Sequence, residues 1–324
     1  MHAIRFALLA ALTLLSACHV NLTINSQYPD GAVIETRDEP SAKELQEPTR
    51  VVVLGTGTPV PDARRAGSSI AVIHRGQAYL FDVGAGSMQN AIRARYEYDM
   101  PSLYPSQICC VFLTHLHSDH TLDYAELAFK LWWRRSQPLR AFGPTGLREM
   151  TDGLYTMMAA DTILRTTGVQ PVQNPDLYRV SITEIEAGVV LQQDGIRIEA
   201  FNVQHGTIKP AFGYRITTDD RTVVISGDTA YSEELIDKAR GADLLFHEVI
   251  SDAALAKSTP FWQDYHRQAH TPASDVGRLA NIVRPQQLVL YHGLFYGEPE
   301  NDVLDEVRKI YKGDVVLADD LDSF

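Results

Sequence analysis

The chain has 324 residues, 45% of them hydrophobic, so it is long enough to bury one large core or two smaller ones. Its formal net charge of −12 is unfavourable for a broad contact with the phosphate backbone of nucleic acid, and no run of Lys or Arg indicates a local basic patch. Three cysteines are too few for a disulfide scaffold. The composition therefore predicts a globular protein with no nucleic-acid partner.

The first 17 residues are typical of a signal peptide. Arg5 precedes the apolar stretch 6–15, which is too short to span a bilayer as a mature helix. Two small residues then precede Cys18, and this pattern resembles the bacterial lipoprotein signal, which is cut before a cysteine that becomes lipid-modified. We predict cleavage after residue 17, lipid attachment at Cys18 and a membrane-anchored location in the bacterial envelope. The alternative is an ordinary signal peptide followed by an unmodified cysteine.

Residues 18–48 are predicted to be a tether between this anchor and a folded domain over 49–324. The segment carries scattered acidic residues and several residues that interrupt regular structure, namely Pro29, Gly31, Pro40 and Pro48. Cleavage of the signal peptide removes Arg5 and takes the net charge from −12 to −13.

Within the folded domain, short apolar stretches predict strands, and longer stretches with helical periodicity predict helices. The predicted strands are 50–54, 68–74, 77–83, 108–113, 140–144, 195–203, 211–217, 222–226, 243–246 and 288–291. The predicted helices are 88–96, 122–135, 146–160 and 272–283. Residues 161–188 give no clear pattern. The alternation of strands and helices predicts an α/β protein.

Two local features of the strands have structural interpretations. The glycine-rich turn at 55–59 lacks the lysine of a phosphate-binding loop, so we interpret it as a close approach of backbone to a neighbouring site. Cys109 and Cys110 are adjacent in a predicted strand, where side chains alternate between faces. We therefore predict two small core side chains there and no vicinal disulfide.

Four metal-binding side chains follow the predicted strand 108–113 within six residues: His115, His117, Asp119 and His120. One helix face cannot gather positions i, i+2, i+4 and i+5, but a tight loop can. Imidazole nitrogens and a carboxylate suit Zn²⁺, with Mn²⁺ or Fe²⁺ as alternatives. Asp82, at the end of another strand, is predicted to orient a ligand histidine, with turn capping as the alternative.

Further polar residues follow later strands at His205, Asp228 and His292, and the complete set resembles the seven ligands of the metallo-β-lactamase superfamily in its dinuclear form. The resemblance runs from about residue 51 to residue 291. It implies a four-layer αββα sandwich with two Zn²⁺ ions. One ion would be held by His115, His117 and His205. The second would be held by Asp119, His120 and His292, with Asp228 bridging the two.

Glu248 and His270 narrow the resemblance to the ribonuclease Z and type II arylsulfatase branch of this superfamily. In that branch a histidine held by a glutamate faces the metals, which implies that His270 is the general acid and Glu248 its orienting partner. Asp119 would be the third catalytic residue, because it would bind one of the metal ions. The alternatives are a surface histidine at a helix start and a solvated glutamate.

We predict a dinuclear zinc hydrolase of small anionic esters, resembling the arylsulfatases and acting on sulfate or phosphate esters. An exported protein would not meet precursor tRNA, and no glycine- and proline-rich basic insertion that could grip tRNA is visible. The alternatives are phosphodiesterase or ribonuclease Z-like activity, lactonase activity, and a non-catalytic metal-binding envelope protein. The sequence does not decide between a monomer and a homodimer. Several aromatic residues line either an aryl-binding mouth or the core: Trp132, Trp133, Phe261, Trp262 and Tyr265.

Overall fold

The computed structural model describes residues 46–169, 172 and 174–324, and the strands in this part of the chain form two sheets. Cys18, the predicted signal peptide and most of the predicted tether lie outside the described residues. The first sheet consists of β1 Arg50–Gly55, β2 Ser69–His74, β3 Gln77–Phe81, β4 Cys110–Phe112, β5 Arg140–Gly143 and β6 Ser181–Glu184. The second consists of β7 Gly188–Gln193, β8 Ile196–Asn202, β9 Phe212–Thr217, β10 Thr222–Ile225, β11 Leu244–Ile250, β12 Gln287–Leu294 and β13 Val315–Leu317.

Helices connect these strands. In the described residues they are α1 Ser87–Glu97, α2 Ser118–Thr121, α3 Tyr124–Phe129, α4 Leu147–Met157, α5 Ala159–Thr167, α6 Glu233–Ala239, α7 Asp252–Lys257, α8 Pro260–Ala269, α9 Ala273–Val283 and α10 Glu300–Ile310. Over the same part of the chain, none of these helices has the length and apolar character needed to cross a membrane.

Each sheet combines an antiparallel part with a parallel part. In the first sheet, β1, β2 and β3 are antiparallel neighbours, whereas β3 to β6 run parallel. In the second sheet, β7 to β10 are antiparallel and β10 to β13 run parallel. Because parallel strands end at the same edge of a sheet, the loop that leaves β10 and the last residues of β12 lie at one edge of the second sheet. His292 lies inside β12, and not after its end as predicted, because β12 continues to Leu294. The loop that leaves β4 meets the same edge, since the Phe212 amide at the start of β9 donates to the Thr114 carbonyl at 2.9 Å.

The alternation of side chains along each strand separates the core into layers. In β1, Val51 and Val53 pack between the two sheets, whereas Val52 and Leu54 pack against helices. The outer face of the first sheet buries side chains of α1, α3 and α4, and that of the second sheet buries side chains of α6, α9 and α10. The order of layers is helix, sheet, sheet, helix, which confirms the expected four-layer αββα sandwich.

Residues 318–324 run along the side of β1 that β2 leaves free. Val51 and Phe324 exchange backbone hydrogen bonds of 3.0 and 2.8 Å, and the Val53 amide donates to the Asp322 carbonyl at 2.9 Å. The Phe324 ring reaches the inter-sheet core, 5.6 Å from the ring of Phe246. In the same segment, the Asp320 carboxylate accepts hydrogen bonds from the backbone amides of Thr56 and Ala66, and so fixes the glycine-rich loop.

Two predicted helices differ from the structure. The helix expected over 122–135 is interrupted after α3, because Leu131 adopts a left-handed conformation with φ of 56° before a short 3₁₀ turn. Trp132 is then fully buried in the core, and the buried guanidinium of Arg135 donates to the backbone carbonyls of Ile108 and Leu127. Trp132 is therefore a core residue and not part of a substrate mouth. The helix expected over 146–160 is divided into α4 and α5 at Met158.

Cys109 and Cys110 pack in the core between the sheets as predicted, but the prediction that they form no disulfide is wrong, because the structure joins them in a vicinal disulfide. The prediction assumed that both residues lie within a strand, where neighbouring side chains point to opposite faces. Strand β4 begins only at Cys110, so Cys109 belongs to the preceding loop and the alternation does not apply to it.

Candidate metal centre

Three histidine side chains from two loops form the first group of metal-binding residues. His115 and His117 follow β4, and His205 follows β8. The Nδ1 atom of His117 lies 2.9 Å from Nε2 of His115 and 3.2 Å from Nε2 of His205. Burial lowers the pKa of all three side chains, so their ring nitrogens are neutral at pH 7 and have lone pairs available for a metal ion.

A second group combines two carboxylates with two histidines: Asp119, His120, Asp228 and His292. Asp119 and His120 lie on α2, a single helical turn, so a loop and one turn of helix together gather the four neighbouring residues. Nε2 of His292 lies 3.1 Å from Oδ2 of Asp119 and 3.5 Å from Oδ1 of Asp228. The ligand atoms of this group all lie within 4.8 Å of one another.

Asp228 lies between the two groups. Its Oδ1 atom is 3.4 Å from Nε2 of His120 in the second group, and its Oδ2 atom is 3.8 Å from Nε2 of His205 in the first. Burial acts to raise the pKa of Asp228, but the neighbouring His292 and His120 outweigh burial and hold that pKa well below its usual value. Asp228 is therefore a buried, charged carboxylate with one oxygen towards each group.

The donors of both groups fit divalent metal ions. Oδ1 of Asp228 and Nε2 of His120 are buried and have no hydrogen-bond partner among the described residues, although buried polar atoms are normally paired. Imidazole nitrogens with one or two carboxylate oxygens are the ligands of Zn²⁺, Mn²⁺ and Fe²⁺ sites. The structure thus brings all seven predicted ligands into two adjoining sets, in the division that the sequence resemblance implied.

Hydrogen bonds to the Nδ1 atoms hold two of these histidines in orientation. Nδ1 of His120 lies 2.8 Å from Oδ2 of Asp82, whose carboxylate also accepts hydrogen bonds from the backbone amide and hydroxyl of Thr114, each at 2.8 Å. Nδ1 of His205 donates to the carbonyl of Ala269 at 2.8 Å. Both contacts turn the Nε2 atom of the ring towards the metal centre. Asp82 therefore orients a histidine of the centre, as predicted.

We expect Asp82→Ala to weaken the affinity of the second group for its metal by about 10- to 100-fold, because His120 loses the partner that fixes its ring. Titration of the metal-free protein with Zn²⁺ against a competing chelator measures the change. Asp99→Ala is the matched control, since Asp99 also has a left-handed backbone but its side chain is exposed. Equal affinities for the two variants would contradict the orienting role.

Glu248 and His270 lie together beside the two groups, although they are 22 residues apart in the chain. Oε2 of Glu248 is 3.4 Å from Nδ1 of His270, and Oε1 accepts backbone hydrogen bonds from Thr271 at 2.9 Å and Thr229 at 3.3 Å. The His270 ring lies 5.2 Å from the ring of His205. Glu248 is therefore fixed by the backbone and leaves one oxygen for His270.

The environment of this pair disfavours charge on either side chain. Burial lowers the pKa of His270 to about 4, and burial, reinforced by the charge of Asp228, raises the pKa of Glu248 well above its usual value.

His247, next to Glu248 in the chain, is buried as well, but its Nδ1 contacts the Glu248 carbonyl and it belongs to neither group of metal-binding residues. Glu248 and His247 lie inside β11, and not after its end as predicted, because β11 continues to Ile250.

Close backbone packing supports the ligand loop. A Cβ atom on Gly84 would lie 2.1 Å from the carbonyl oxygen of Asp119, and one on Gly67 would lie 2.8 Å from the same atom. A Cβ atom on Gly55 would lie 1.9 Å from the carbonyl oxygen of Gly67. The glycine-rich turn therefore approaches the backbone of Gly67, and Gly67 in turn approaches the ligand loop, so the turn reaches the site only through an intervening residue. The threonines at 114, 229 and 271 were missed, because a hydroxyl or amide that supports a ligand leaves no spacing signal in the sequence.

Known proteins resemble the chain over most of its length. Residues 77–293 match the family described as the beta-lactamase superfamily domain. Ribonuclease Z of Mycolicibacterium gilvum is 32% identical over 237 residues, which cover 70% of this chain and 79% of that protein. Ribonuclease Z of Mycolicibacterium paratuberculosis is 30% identical over 283 residues, which cover 84% and 96%.

Solved structures share the fold. The metallo-beta-lactamase fold protein YhfI of Bacillus subtilis has a TM-score of 0.66 at 20% identity, covering 86% of this chain and all of that one. The short form of human tRNase Z has a TM-score of 0.63 at 22% identity, covering 85% and 98%. The fold and the two donor groups agree with the family match over residues 77–293. The chain therefore belongs to the beta-lactamase superfamily and is a metal-dependent hydrolase with homologues named ribonuclease Z.

Proposed function

We propose that the protein is a metal-dependent phosphodiesterase. The observation that carries the proposal is Asp228, whose two oxygens reach two separate donor groups beside the His270–Glu248 pair. A pair of divalent ions suits the displacement of an oxygen leaving group at phosphorus, where negative charge develops on both the attacking and leaving sides. The homologues named ribonuclease Z support this phosphodiester alternative over the arylsulfatase-like activity that the sequence favoured.

The side chains of the chain have separate roles in this proposal. His115, His117 and His205 would hold one ion, and Asp119, His120 and His292 the other, with Asp228 touching both. When bound, the ions supply Lewis-acid charge and lower the pKa of water at the site. Asp82 and the Ala269 carbonyl fix ring orientation. His270 would give a proton to the departing oxygen. Because burial keeps His270 neutral and Glu248 protonated, the proton that replaces it would come from Glu248, whose Oε2 lies 3.4 Å from Nδ1 of His270.

A panel of 4-nitrophenyl esters tests the reaction class, because the leaving group is the same throughout. We expect kcat/KM for the methyl phosphodiester to exceed that for the phosphomonoester and the sulfate by about tenfold or more, since the charge of the transition state differs between the classes. Activity should disappear on chelation and return with Zn²⁺ or Mn²⁺. Fastest turnover of the sulfate would restore the arylsulfatase-like hypothesis. A lactone is assayed beside the panel, and turnover of the lactone without turnover of any 4-nitrophenyl ester would favour a lactonase.

The identity of the diester is a separate question. The sequence prediction excluded nucleic acid, and this conflicts with homologues whose name, ribonuclease Z, states that they act on RNA. We propose a small diester, supported by the net charge of −12, which opposes a long contact with a polyanion. Precursor tRNA belongs in the same panel. Its cleavage with a kcat/KM above that of the small diesters would show that RNA is the substrate.

Other parts of the proposal rest on the sequence and the donor chemistry alone. Zn²⁺ is the proposed metal, because imidazole and carboxylate ligands suit it well. Lipid attachment at Cys18, a tether to residue 48 and an envelope location remain proposals based on residues 1–48. An envelope location would also keep the site away from precursor tRNA.

A further inference from the structure

Helix α8 has an unusual distribution of aromatic residues. Phe261, Trp262 and Tyr265 are 72%, 50% and 43% exposed, and Tyr296, in the loop after β12, is 49% exposed. Helices of globular proteins normally turn such side chains towards the core. We call these four residues the aromatic patch. The Trp262 ring lies 5.4 Å from that of Phe261 and 5.5 Å from that of Tyr265, so the exposed apolar surface on α8 is contiguous, as it is at ligand-binding sites.

A buried histidine joins the aromatic patch to the metal centre. The ring of His266 is 5.9 Å from that of Trp262, 5.2 Å from that of Tyr265 and 5.2 Å from that of Tyr296. On its other side it is 5.7 Å from the ring of His270. The aromatic patch therefore begins one ring away from the residue proposed to protonate the leaving oxygen.

The position of α8 is fixed relative to the metal centre. Its last residue, Ala269, accepts the hydrogen bond from Nδ1 of His205, and the carbonyl of Gln268 accepts one from the amide of Gly206, both at 2.8 Å. His270 follows directly and ends the helix. The helix that carries three residues of the aromatic patch is thus hydrogen-bonded to a histidine of the centre and to the residue after it, which fixes the end of α8 beside the site.

We propose that the aromatic patch binds a flat aromatic ring on the leaving group of the substrate. The inference rests on the proposed function, because it uses His270 to define the side from which the leaving group departs. An aryl alcohol and a nucleoside share this chemistry, since each carries a planar ring that stacks on Trp or Tyr. Stacking of one ring increases affinity by about tenfold.

Matched diesters separate ring recognition from chemistry. Methyl phenyl phosphate is compared with the methyl phosphodiester of a fluorinated alcohol whose acidity matches that of phenol. A thymidine diester is compared with the same diester of an abasic sugar. For Trp262→Leu, which keeps an apolar side chain but removes the ring, we expect kcat/KM to fall about tenfold, through KM, for the ring-bearing substrates. The ringless substrates should change less than about twofold.

Variants and a binding measurement complete the test. Trp262→Phe should retain most of the preference for a ring, and Ile282→Ala, at a 47% exposed position on α9, should change nothing. Calorimetry with phenylphosphonate and cyclohexylphosphonate measures the same preference without turnover: the wild-type protein should bind the phenyl compound more tightly, and Trp262→Leu should abolish the difference.

The outcomes distinguish this inference from the proposed function. Equal losses on ring-bearing and ringless substrates, or no loss with either, would overturn ring recognition while leaving a phosphodiesterase. Absence of diester hydrolysis by the wild-type protein would refute the proposed function, and the phosphonate measurement would still decide whether the aromatic patch selects a ring. A loss confined to the thymidine pair identifies a nucleoside as the leaving group, and a loss confined to the phenyl pair identifies an aryl alcohol.

Discussion

Replacement of Asp228 by Ala is expected to reduce hydrolysis of every diester by about 1,000-fold or more, since two-metal charge stabilisation amounts to several kcal/mol. Asp228 has one oxygen towards each donor group, at 3.4 Å from His120 and 3.8 Å from His205. Its loss leaves both groups without their shared carboxylate and with an excess of positive charge when metal binds. Bound metal should decrease as well. Kinetics and elemental analysis of bound metal, measured on the same sample, check the two losses.

Two further variants make this prediction specific. Asp228→Asn keeps the shape of the side chain and removes its charge, so it should lose nearly as much activity as Asp228→Ala. Asp237→Ala removes an exposed carboxylate from α6 and should leave turnover and metal content unchanged. Thermal unfolding of each variant shows whether the fold is intact. Full turnover by a folded Asp228→Ala protein with two ions bound would refute the bridging role.

His270→Ala is expected to lower kcat by about 100- to 10,000-fold for substrates with poor leaving groups, the range typical of general acid catalysis. Metal content should not change, because His270 is not among the seven proposed ligands. The loss should shrink as the leaving group becomes more acidic, since a stable departing anion needs no proton. A series of methyl aryl phosphates with increasingly acidic phenols gives this dependence as the slope of log kcat against leaving-group pKa.

Glu248→Gln provides the comparison for this prediction. The amide oxygen can still accept the backbone hydrogen bonds of Thr271 and Thr229, so the variant removes only the acidic group beside His270. We expect a smaller loss than for His270→Ala, with the same dependence on the leaving group. A His270→Ala protein whose slope equals that of the wild-type protein would mean that another group protonates the leaving oxygen.

The metal ligands were predictable from the sequence because residues of the types that bind metal ions lie near the ends of the predicted strands. His115, His205, Asp228 and His292 each follow or end an apolar stretch, and parallel strands bring such positions together. The seven side chains also have few alternative explanations as a set, since buried histidines and aspartates at this density need a common partner. The fold followed from the same residues through their resemblance to a known superfamily.

The remaining features depend on contacts that no local pattern records. The periodicity of 122–135 is helical, yet Leu131 turns left-handed and Trp132 packs into the core, because burial of the indole outweighs the local helical preference. The disulfide at Cys109 depends on where β4 begins. The hydrogen bonds of Asp82 and Glu248 join residues far apart in the chain. The aromatic patch can be related to the metal centre only through His266, whose ring lies next to that of His270.

The segment 318–324, which runs along β1, also has a consequence for solubility. A strand at the edge of a sheet exposes unpaired amides and carbonyls that can pair with another chain and start aggregation. β1 is such a strand, with the apolar sequence Val51–Val52–Val53–Leu54, and its free side is occupied by backbone hydrogen bonds from Asp322 and Phe324. The segment 318–324 therefore covers this edge of the first sheet and protects it from self-association, while Asp320 within it holds the loop that backs the metal centre.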